Sequence, residues 1–250
     1  MLGGWGIGFL LAVAIHPFLS LMGTATVGNL VGLGLMIWIG IRTSRIPVAQ
    51  ILALRQFPPR LCIPLVILAI SGSVLIAEVS NWTEEILPIP NSLRQTFLQI
   101  LRAPDWFGFF VRAILLSLIA PITEELLFRG VFQYGLTQNY GPTKGIILTS
   151  ICFGVFHITP WQGIGATLIG LLLGLVVHRT GSIFSSMTLH AIWNLLPLII
   201  LSAIPDSYLS TFASSTDTIK HIPLHTLAIV SIIFILGLKS FYSQTEPSSI

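Results

Sequence analysis

The sequence predicts an all-α bundle of about eight membrane-spanning helices, with six as the lower bound. Of its 250 residues, 54% are apolar and only 8% are charged, whereas an average soluble domain is about 25% charged. Long apolar runs recur along the chain between polar turns and prolines, and about 20 apolar residues suffice to cross a bilayer. We therefore expect an integral, multi-pass membrane protein whose residues 1–250 form one membrane-embedded domain.

The small net charge and the two cysteines disfavour other classes of protein. The net charge is only +3, and we interpret it as a signal of membrane topology and not as a nucleic-acid-binding surface. Cys62 and Cys152 each lie alone in an apolar run, which indicates packing rather than a disulfide or a metal site. The expected surroundings are the lipid bilayer, and no nucleic-acid partner is expected.

The apolar runs define eight candidate spans. In chain order they are Trp5–Met22, Val27–Ile41, Leu61–Ala77, Trp106–Gln138, Thr143–Ile158, Gly163–Val177, Ile183–Leu201 and Pro223–Leu238. Three connections are long, and the last of them, residues 202–222, is a polar loop. The first, residues 42–60, is rich in arginine and contains prolines that prevent a long helix. The second, Glu78–Asp105, is acidic at its start, and its later part, Ser92–Arg102, has the pattern of an amphipathic helix lying at the membrane interface.

The distribution of lysine and arginine predicts the orientation of the spans, because cytoplasmic segments carry an excess of these residues. With eight spans and both termini inside, eight basic residues fall in inner segments and three in outer segments, and one more, Arg112, remains within the membrane. The inner ones are Arg42, Arg45, Arg55, Arg60, Arg129, Lys144, Arg179 and Lys239; the outer ones are Arg94, Arg102 and Lys220. We therefore expect both termini on the cytoplasmic side.

This orientation gives a testable prediction. Single cysteines introduced at Gln50 and Pro90 should react with an impermeant thiol reagent from opposite faces of the membrane, with Gln50 on the cytoplasmic face. Labelling of both positions from the same face would contradict the predicted topology.

One stretch, Pro121–Gly130, places two adjacent carboxylates and an arginine between long apolar runs. Each charge in such surroundings costs roughly 2.5–3.5 kcal/mol on insertion scales, so it must be paired, hydrated or functional. In a helix, Glu125 and Arg129 are i,i+4 neighbours and can pair. Glu124 lies about 100° around the helix from Glu125 and cannot face the same partner. The pattern predicts a structural carboxylate, Glu125, and a free one, Glu124.

Three more polar residues lie within later spans. His190 and Asn194 are i,i+4 neighbours and share one helix face. Glu124 and His157 are equally far from the turn between the fourth and fifth spans, so an antiparallel hairpin brings them to the same depth. His190 reaches that depth only if the fourth span protrudes inward or tilts. Alone, a histidine or an asparagine in a span usually indicates packing or an interhelical hydrogen bond, but the combination favours a site.

Together these residues form three motifs on successive spans: Glu-Glu-x-x-x-Arg, Phe-x-x-x-His and His-x-x-x-Asn. In this order they resemble the CAAX-protease and bacteriocin-processing family of intramembrane peptidases, also called the CPBP or Abi family. Every motif position is filled, by Glu124, Glu125, Arg129, Phe153, His157, His190 and Asn194. The resemblance covers about residues 106–201, where we expect the catalytic core.

The resemblance implies an intramembrane endopeptidase that hydrolyses peptide bonds of a membrane-associated or lipidated protein or peptide. In the leading interpretation, Glu124 takes a proton from a water held by His157, and His190 and Asn194 donate hydrogen bonds to the oxyanion. No cofactor is required in this interpretation. The other three motif residues, Glu125, Arg129 and Phe153, would hold these side chains in position without contacting the substrate.

Two alternatives remain open. In the first, Glu124, His157 and His190 are ligands of one zinc or other divalent metal ion, with a fourth position for water; the asparagine, a poor zinc ligand, favours the metal-free version. In the second, the chain is a non-catalytic membrane scaffold, or an immunity or transport protein on the same fold. It lacks the matched repeat halves of many transporters. No sequence motif selects a particular substrate.

Overall fold

The chain forms a bundle of helices joined mostly by short turns. The computed structural model describes residues 21–103, 105–203 and 219–246, and these residues contain nine helices. In chain order they are α1 (Leu21–Thr43), α2 (Val48–Ile51), α3 (Cys62–Ile86), α4 (Asn91–Leu101), α5 (Trp106–Tyr140), α6 (Pro142–Phe156), α7 (Pro160–Thr180), α8 (Ile183–Ala203) and α9 (Leu224–Ser243). A 3₁₀ turn, Pro59–Leu61, leads into α3.

The predicted all-α membrane bundle is confirmed. Among the described residues, six helices are long and apolar enough to cross a membrane: α1, α3, α5, α7, α8 and α9. The predicted fifth span is present as α6, but its 15 residues rise only about 22 Å, less than the roughly 30 Å of a hydrocarbon core. The predicted first span, Trp5–Met22, lies almost entirely outside the described residues.

The predicted boundary after α3 is wrong. The sequence predicts a connection that begins at Glu78, but α3 continues to Ile86. Glu78 is buried, and its carboxylate accepts hydrogen bonds from the Asn81 side chain (3.0 Å) and from the backbone N–H of Ile222 (2.9 Å). His221 Nδ1 lies 2.7 Å from the other carboxylate oxygen. Because these partners compensate the charge, the helix continues past it.

The predicted amphipathic helix is present as α4, none of whose residues is buried. Arg112 of α5, which the sequence leaves without a partner, donates to the carbonyl oxygens of Ile100 (2.9 Å) and Gln99 (3.2 Å) at the end of α4. It thus satisfies acceptors that a helix terminus leaves open. The nearby Trp106 and Phe107 are exposed, as is usual for large aromatic side chains at a membrane interface.

The long helix α5 contains two π-helical segments, Leu115–Ile119 and Leu126–Phe132. They flank a short α-helical stretch, Ala120–Glu125, which carries both glutamates. Wider π-turns change the direction of the side chains that follow and often occur at functional sites. The glutamates and Arg129 therefore lie where the backbone of α5 departs most from a regular helix.

The arginine-rich connection between α1 and α3 folds back onto the bundle. Its residues Leu52 and Ala53 are buried, and the Ala53 carbonyl accepts the backbone N–H of Ile183 at 3.0 Å. The Ser182 hydroxyl donates to the Arg55 carbonyl. These contacts close one end of the bundle, beside the start of α8.

Close packing of α6 on α7 yields a stability prediction. A Cβ added at Gly154 would overlap the Thr167 hydroxyl and lie 2.5 Å from the Gly163 carbonyl oxygen. Gly154→Ala should therefore destabilise the protein by about 1–3 kcal/mol, because backbone cannot move aside cheaply. Thermal unfolding in one detergent measures the effect.

Gly135 provides the matched control, since a Cβ there meets no atom within 4 Å. Gly135→Ala should be neutral or stabilising by up to about 1 kcal/mol through helix propensity. Equal melting temperatures for Gly154→Ala and Gly135→Ala would contradict this prediction, because they would show that α6 and α7 leave room for a Cβ atom at Gly154.

Candidate active site

The buried pair Glu125–Arg129 is confirmed. Both side chains are fully buried, and Arg129 Nε lies 3.3 Å from Glu125 Oε2 across one turn of α5. Arg129, which the sequence analysis counts among the inner basic residues, has its whole side chain enclosed in the protein. Removing it from the count of inner basic residues leaves seven against three, so the charge bias keeps its direction.

His190 contacts both glutamates, so the prediction that Glu124 and Glu125 cannot face the same partner is wrong; the two nitrogens of one imidazole ring point in different directions. Its Nδ1 lies 3.0 Å from Glu125 Oε1, and its Nε2 lies 3.7 Å from Glu124 Oε2. Because a carboxylate oxygen only accepts hydrogen bonds, Nδ1 carries a hydrogen and Nε2 faces Glu124. Glu125 therefore has a second partner that the sequence did not predict: it pairs with Arg129 and also fixes the orientation of the His190 ring.

His190 Nε2 faces Glu124 Oε2 at 3.7 Å, a distance longer than a hydrogen bond. Glu124 is therefore held less tightly by His190 than Glu125 is, since Glu125 Oε1 lies 3.0 Å from Nδ1. The cluster thus places two acidic side chains, Glu124 and Glu125, beside an arginine and a histidine inside the protein.

Asn194 lies one helical turn beyond His190 on α8. Its side-chain amide donates to the backbone carbonyl of Leu116 at 3.0 Å. Leu116 belongs to the first π-helical segment of α5, so Asn194 fastens α8 to that irregular stretch. An amide nitrogen has two hydrogens, and the second one remains available for another acceptor.

His157 follows the last residue of α6. Its Nδ1 lies 2.8 Å from the Phe153 carbonyl oxygen; this nitrogen therefore carries the hydrogen, and Nε2 is left with a lone pair. From the α5–α6 turn, Glu124 is 16 residues away along α5 (140 − 124) and His157 is 15 along α6 (157 − 142). The two side chains thus lie at about the same depth, roughly 22–24 Å from the turn. A direct contact between them stays a prediction.

Phe153 packs between the two histidines. Its ring contacts those of His157 and His190 edge to face, with centroids 4.8 and 5.7 Å apart. The Arg129 guanidinium lies over the same ring, 4.7 Å from its centroid, and Phe128 contacts it from another side at 5.0 Å. One buried aromatic residue therefore touches three of the motif side chains and limits their motion.

Two polar residues of the site escaped the sequence analysis. Ser186 is fully buried one turn before His190, and its hydroxyl donates to the Ile183 carbonyl at 2.9 Å. Gln133 is buried one turn after Arg129 and donates to the Gly174 carbonyl at 2.9 Å. The signal that could have identified them is the four-residue spacing, which continues the polar faces of α8 and α5.

The side chains do not form a metal site as they are arranged. Within the described residues, no three His, Cys, Asp or Glu side chains lie close enough together to hold a metal ion. In both His157 and His190, Nδ1 is hydrogen-bonded to an oxygen of the protein, which leaves Nε2 as the nitrogen that could bind a metal ion. Many metal-binding histidines have this hydrogen-bonding pattern. The donor types thus suit a metal ion, but in the described part of the chain these side chains do not surround one point.

The fold and site define a polytopic membrane protein with a buried cluster of two glutamates, an arginine and a histidine. Residues 106–196 match the family described as Rce1-like, Type II CAAX prenyl endopeptidase. The family resemblance inferred from the three motifs is thereby confirmed over this segment.

The chain is also similar to an uncharacterized protein of Bacillus subtilis (strain 168), YpbD. The two are 36% identical over 83 residues, which is 32% of this chain and 40% of that protein. The chain thus matches less than half of the length of this curated relative. No solved structure matches the chain significantly.

The buried pair gives a stability prediction. Glu125→Gln removes the closest charged partner of Arg129 inside the protein, and removing one partner of a buried pair typically costs about 3–5 kcal/mol. The melting temperature and the yield of folded protein should fall, and Arg129→Met should act in the same direction. The double variant should recover part of the loss, because no orphaned charge remains.

Thermal unfolding of the three variants in one detergent tests this expectation. Additive losses in the double variant would contradict it, since they would show that the two side chains stabilise the fold independently.

Proposed function

We propose that the chain is an intramembrane endopeptidase that cleaves membrane-associated or lipidated peptides, with Glu124 as the general base and no metal ion. The observation that supports this most directly is the position of Glu124. Among the described residues, its nearest ion-pair contact is His190 Nε2 at 3.7 Å, whereas Glu125 lies 3.3 Å from Arg129 Nε and 3.0 Å from His190 Nδ1. A general base must be able to release its neighbour and reach a water, and of the two glutamates only Glu124 has that freedom.

In the proposed reaction, a water lies between Glu124 and the free Nε2 of His157. Glu124 takes one proton from it, and the oxygen attacks the carbonyl carbon of the scissile peptide bond. A tetrahedral intermediate forms with a negative charge on the former carbonyl oxygen. When the C–N bond breaks, the proton held by Glu124 passes to the leaving nitrogen, and a carboxylic acid and an amine are released.

His190 and Asn194 would stabilise the oxyanion. His190 offers the hydrogen on Nε2, since Glu125 holds Nδ1, and Asn194 offers its second amide hydrogen, since Leu116 accepts the first. Donors fixed before the reaction starts are worth about 3–4 kcal/mol each. The hydrogen bonds to Glu125 and to Leu116 thus fix the orientation of the His190 ring and of the Asn194 amide, so that the remaining N–H group of each can bind the oxyanion.

The support for a peptide substrate comes from the family match over residues 106–196. A lipidated substrate, and termini on the cytoplasmic side, are further parts of this proposal. Activity that persists after exhaustive chelation and dialysis would favour the metal-free mechanism. Loss of activity on chelation, with recovery on addition of zinc, would instead favour Glu124, His157 and His190 as metal ligands.

The main prediction concerns Glu124. Glu124→Gln keeps the shape of the side chain but cannot accept a proton, so cleavage should slow by about 10²–10⁴-fold while folding is retained. Glu85→Gln is the matched control, because Glu85 is half-exposed and belongs to α3 outside the site. Cleavage of a fluorogenic apolar peptide and thermal stability are measured for both variants.

Two results would count against the proposal. An active Glu124→Gln together with a folded but inactive Glu125→Gln would show that the two glutamates have exchanged roles. Absence of peptidase activity in the unmodified chain, towards lipidated and unlipidated peptides alike, would make the non-catalytic scaffold the better account.

A further inference from the structure

One end of the bundle carries the arginine-rich connection between α1 and α3. The Ala53 carbonyl of this connection accepts the backbone N–H of Ile183, and the Arg55 carbonyl accepts the Ser182 hydroxyl, so the connection lies beside the start of α8. Together with the last turn of α1 it contains no aspartate or glutamate, but it contains four arginines. They are Arg42, Arg45, Arg55 and Arg60.

The side chains of these four arginines are exposed. In the part of the chain that the structure describes, none of the four guanidinium groups has an ion pair or a hydrogen bond, and Arg42 only lies over the Trp38 ring, 5.9 Å from its centroid. Other arginines of the chain are bound by carboxylate, carbonyl or hydroxyl oxygens: Arg94, Arg112, Arg129 and Arg179. Because a guanidinium group has five N–H donors and a permanent charge, the four exposed arginines take their acceptors from outside the described chain.

Large apolar side chains are exposed next to these arginines. Trp38, one turn before Arg42, is 56% exposed, and Val48 and Leu54 are exposed within the connection. Both α1 and α3 are long and apolar enough to cross a membrane, so the connection between them lies where the hydrocarbon ends. Basic and apolar side chains exposed side by side are typical of this boundary, where one group meets the lipid headgroups and the other the acyl chains.

The charged residues divide between the two ends of the bundle. Four carboxylates lie in the last three turns of α3 or directly before α5, away from the arginines: Glu78, Glu84, Glu85 and Asp105. The arginine end also holds Lys144, Arg179 and Lys239, and among the described residues Glu246, after α9, is its one carboxylate. This end therefore has a positive potential that attracts anions.

We propose that Arg42, Arg45, Arg55 and Arg60 form an arginine surface that binds anionic phospholipid headgroups in preference to zwitterionic ones. A guanidinium group can bind two oxygens of a phosphate group with parallel hydrogen bonds, and clusters of about four to eight basic residues beside a span are typical of anionic-lipid recognition. The exposed Trp38 provides a contact for an acyl chain, which a soluble phosphate lacks. The positive-inside rule accounts for basic residues on one side of a membrane, but it predicts no preference between lipids in the folded protein.

Binding at the arginine surface also stabilises the folded chain. The connection holds the start of α8, and its residue Leu52 packs closely on α5, because a Cβ added at Gly130 would lie 2.6 Å from Leu52 Cδ2. The arginines are thus brought together by the folded bundle. A ligand that binds the folded chain and not the unfolded one raises stability by mass action, so the melting temperature should rise with the fraction of anionic lipid.

The test compares two variants that lose the same number of positive charges. The first loses three arginines of the arginine surface, by Arg45→Gln, Arg55→Gln and Arg60→Gln. The control loses three basic residues from the other end of the bundle, by Arg94→Gln, Arg102→Gln and Lys220→Gln. If a triple variant does not fold, the single variants Arg45→Gln and Lys220→Gln take the place of the pair.

Thermal unfolding is measured in nanodiscs of phosphatidylcholine in which phosphatidylglycerol with the same acyl chains replaces an increasing fraction. The melting temperature of the unmodified chain and of the control should rise by at least about 3 °C, whereas the first variant should lose most of this rise. Native mass spectrometry of the detergent-solubilised proteins measures lipid affinity directly. Affinity for phosphatidylglycerol should fall by about fivefold for each arginine replaced, and affinity for phosphatidylcholine should not change.

Three results would overturn the proposal. The first is an equal rise of melting temperature in the two variants, and the second is equal affinity of the unmodified chain for the two lipids. The third is stabilisation by inorganic phosphate as large as that by phosphatidylglycerol, which would identify a soluble anion as the occupant. Peptide cleavage is not used in this test, so failure of the proposed function would leave the result on lipid binding intact.

Discussion

The contacts of one buried carboxylate, Glu125, determine how α5 and α8 meet. Glu125 receives Arg129 from its own helix and His190 from α8, and all three side chains are almost completely enclosed. A charge left unpaired in this place would cost several kcal/mol, so the two helices can pack only in the register that supplies both partners. The orientation of the His190 ring, and through it the environment of Glu124, follows from this constraint.

Apolar packing and an irregular backbone supply the rest of the frame. Phe153 touches the rings of His157 and His190 and lies beneath the Arg129 guanidinium, so the histidines cannot turn independently. The first π-helical segment of α5 offers the Leu116 carbonyl to Asn194, which fixes α8 one turn beyond His190. The polar groups are thus held by a rigid apolar core and by backbone atoms, as a preorganised site requires.

Much of this arrangement follows from spacing along single helices. The Glu125–Arg129 pair and the common face of His190 and Asn194 are i,i+4 relations, which depend only on the helical repeat. The membrane bundle follows from the long apolar runs, because a run of this length can cross a bilayer as a helix, which satisfies its own backbone hydrogen bonds. The hydrogen bond between Glu125 and His190 could not be predicted from spacing along one helix, because it depends on how α5 and α8 are rotated relative to each other. The extension of α3 through Glu78 depends likewise on partners more than 140 positions away.

The adjacent glutamates have different surroundings, which supports the different roles proposed for them. Glu125 is enclosed completely, with Arg129 Nε 3.3 Å from one oxygen and His190 Nδ1 3.0 Å from the other, so a proton added to it would weaken both interactions. Among the described residues, the nearest ion-pair partner of Glu124 is His190 Nε2 at 3.7 Å, a distance longer than a hydrogen bond. In the proposed reaction, a proton would therefore move between Glu124 and the substrate without disturbing the pair that holds the helices together. Because each unpaired charge is costly in a membrane, such a division would place stability on one carboxylate and proton transfer on its neighbour, so that the bundle stays intact during the proposed reaction.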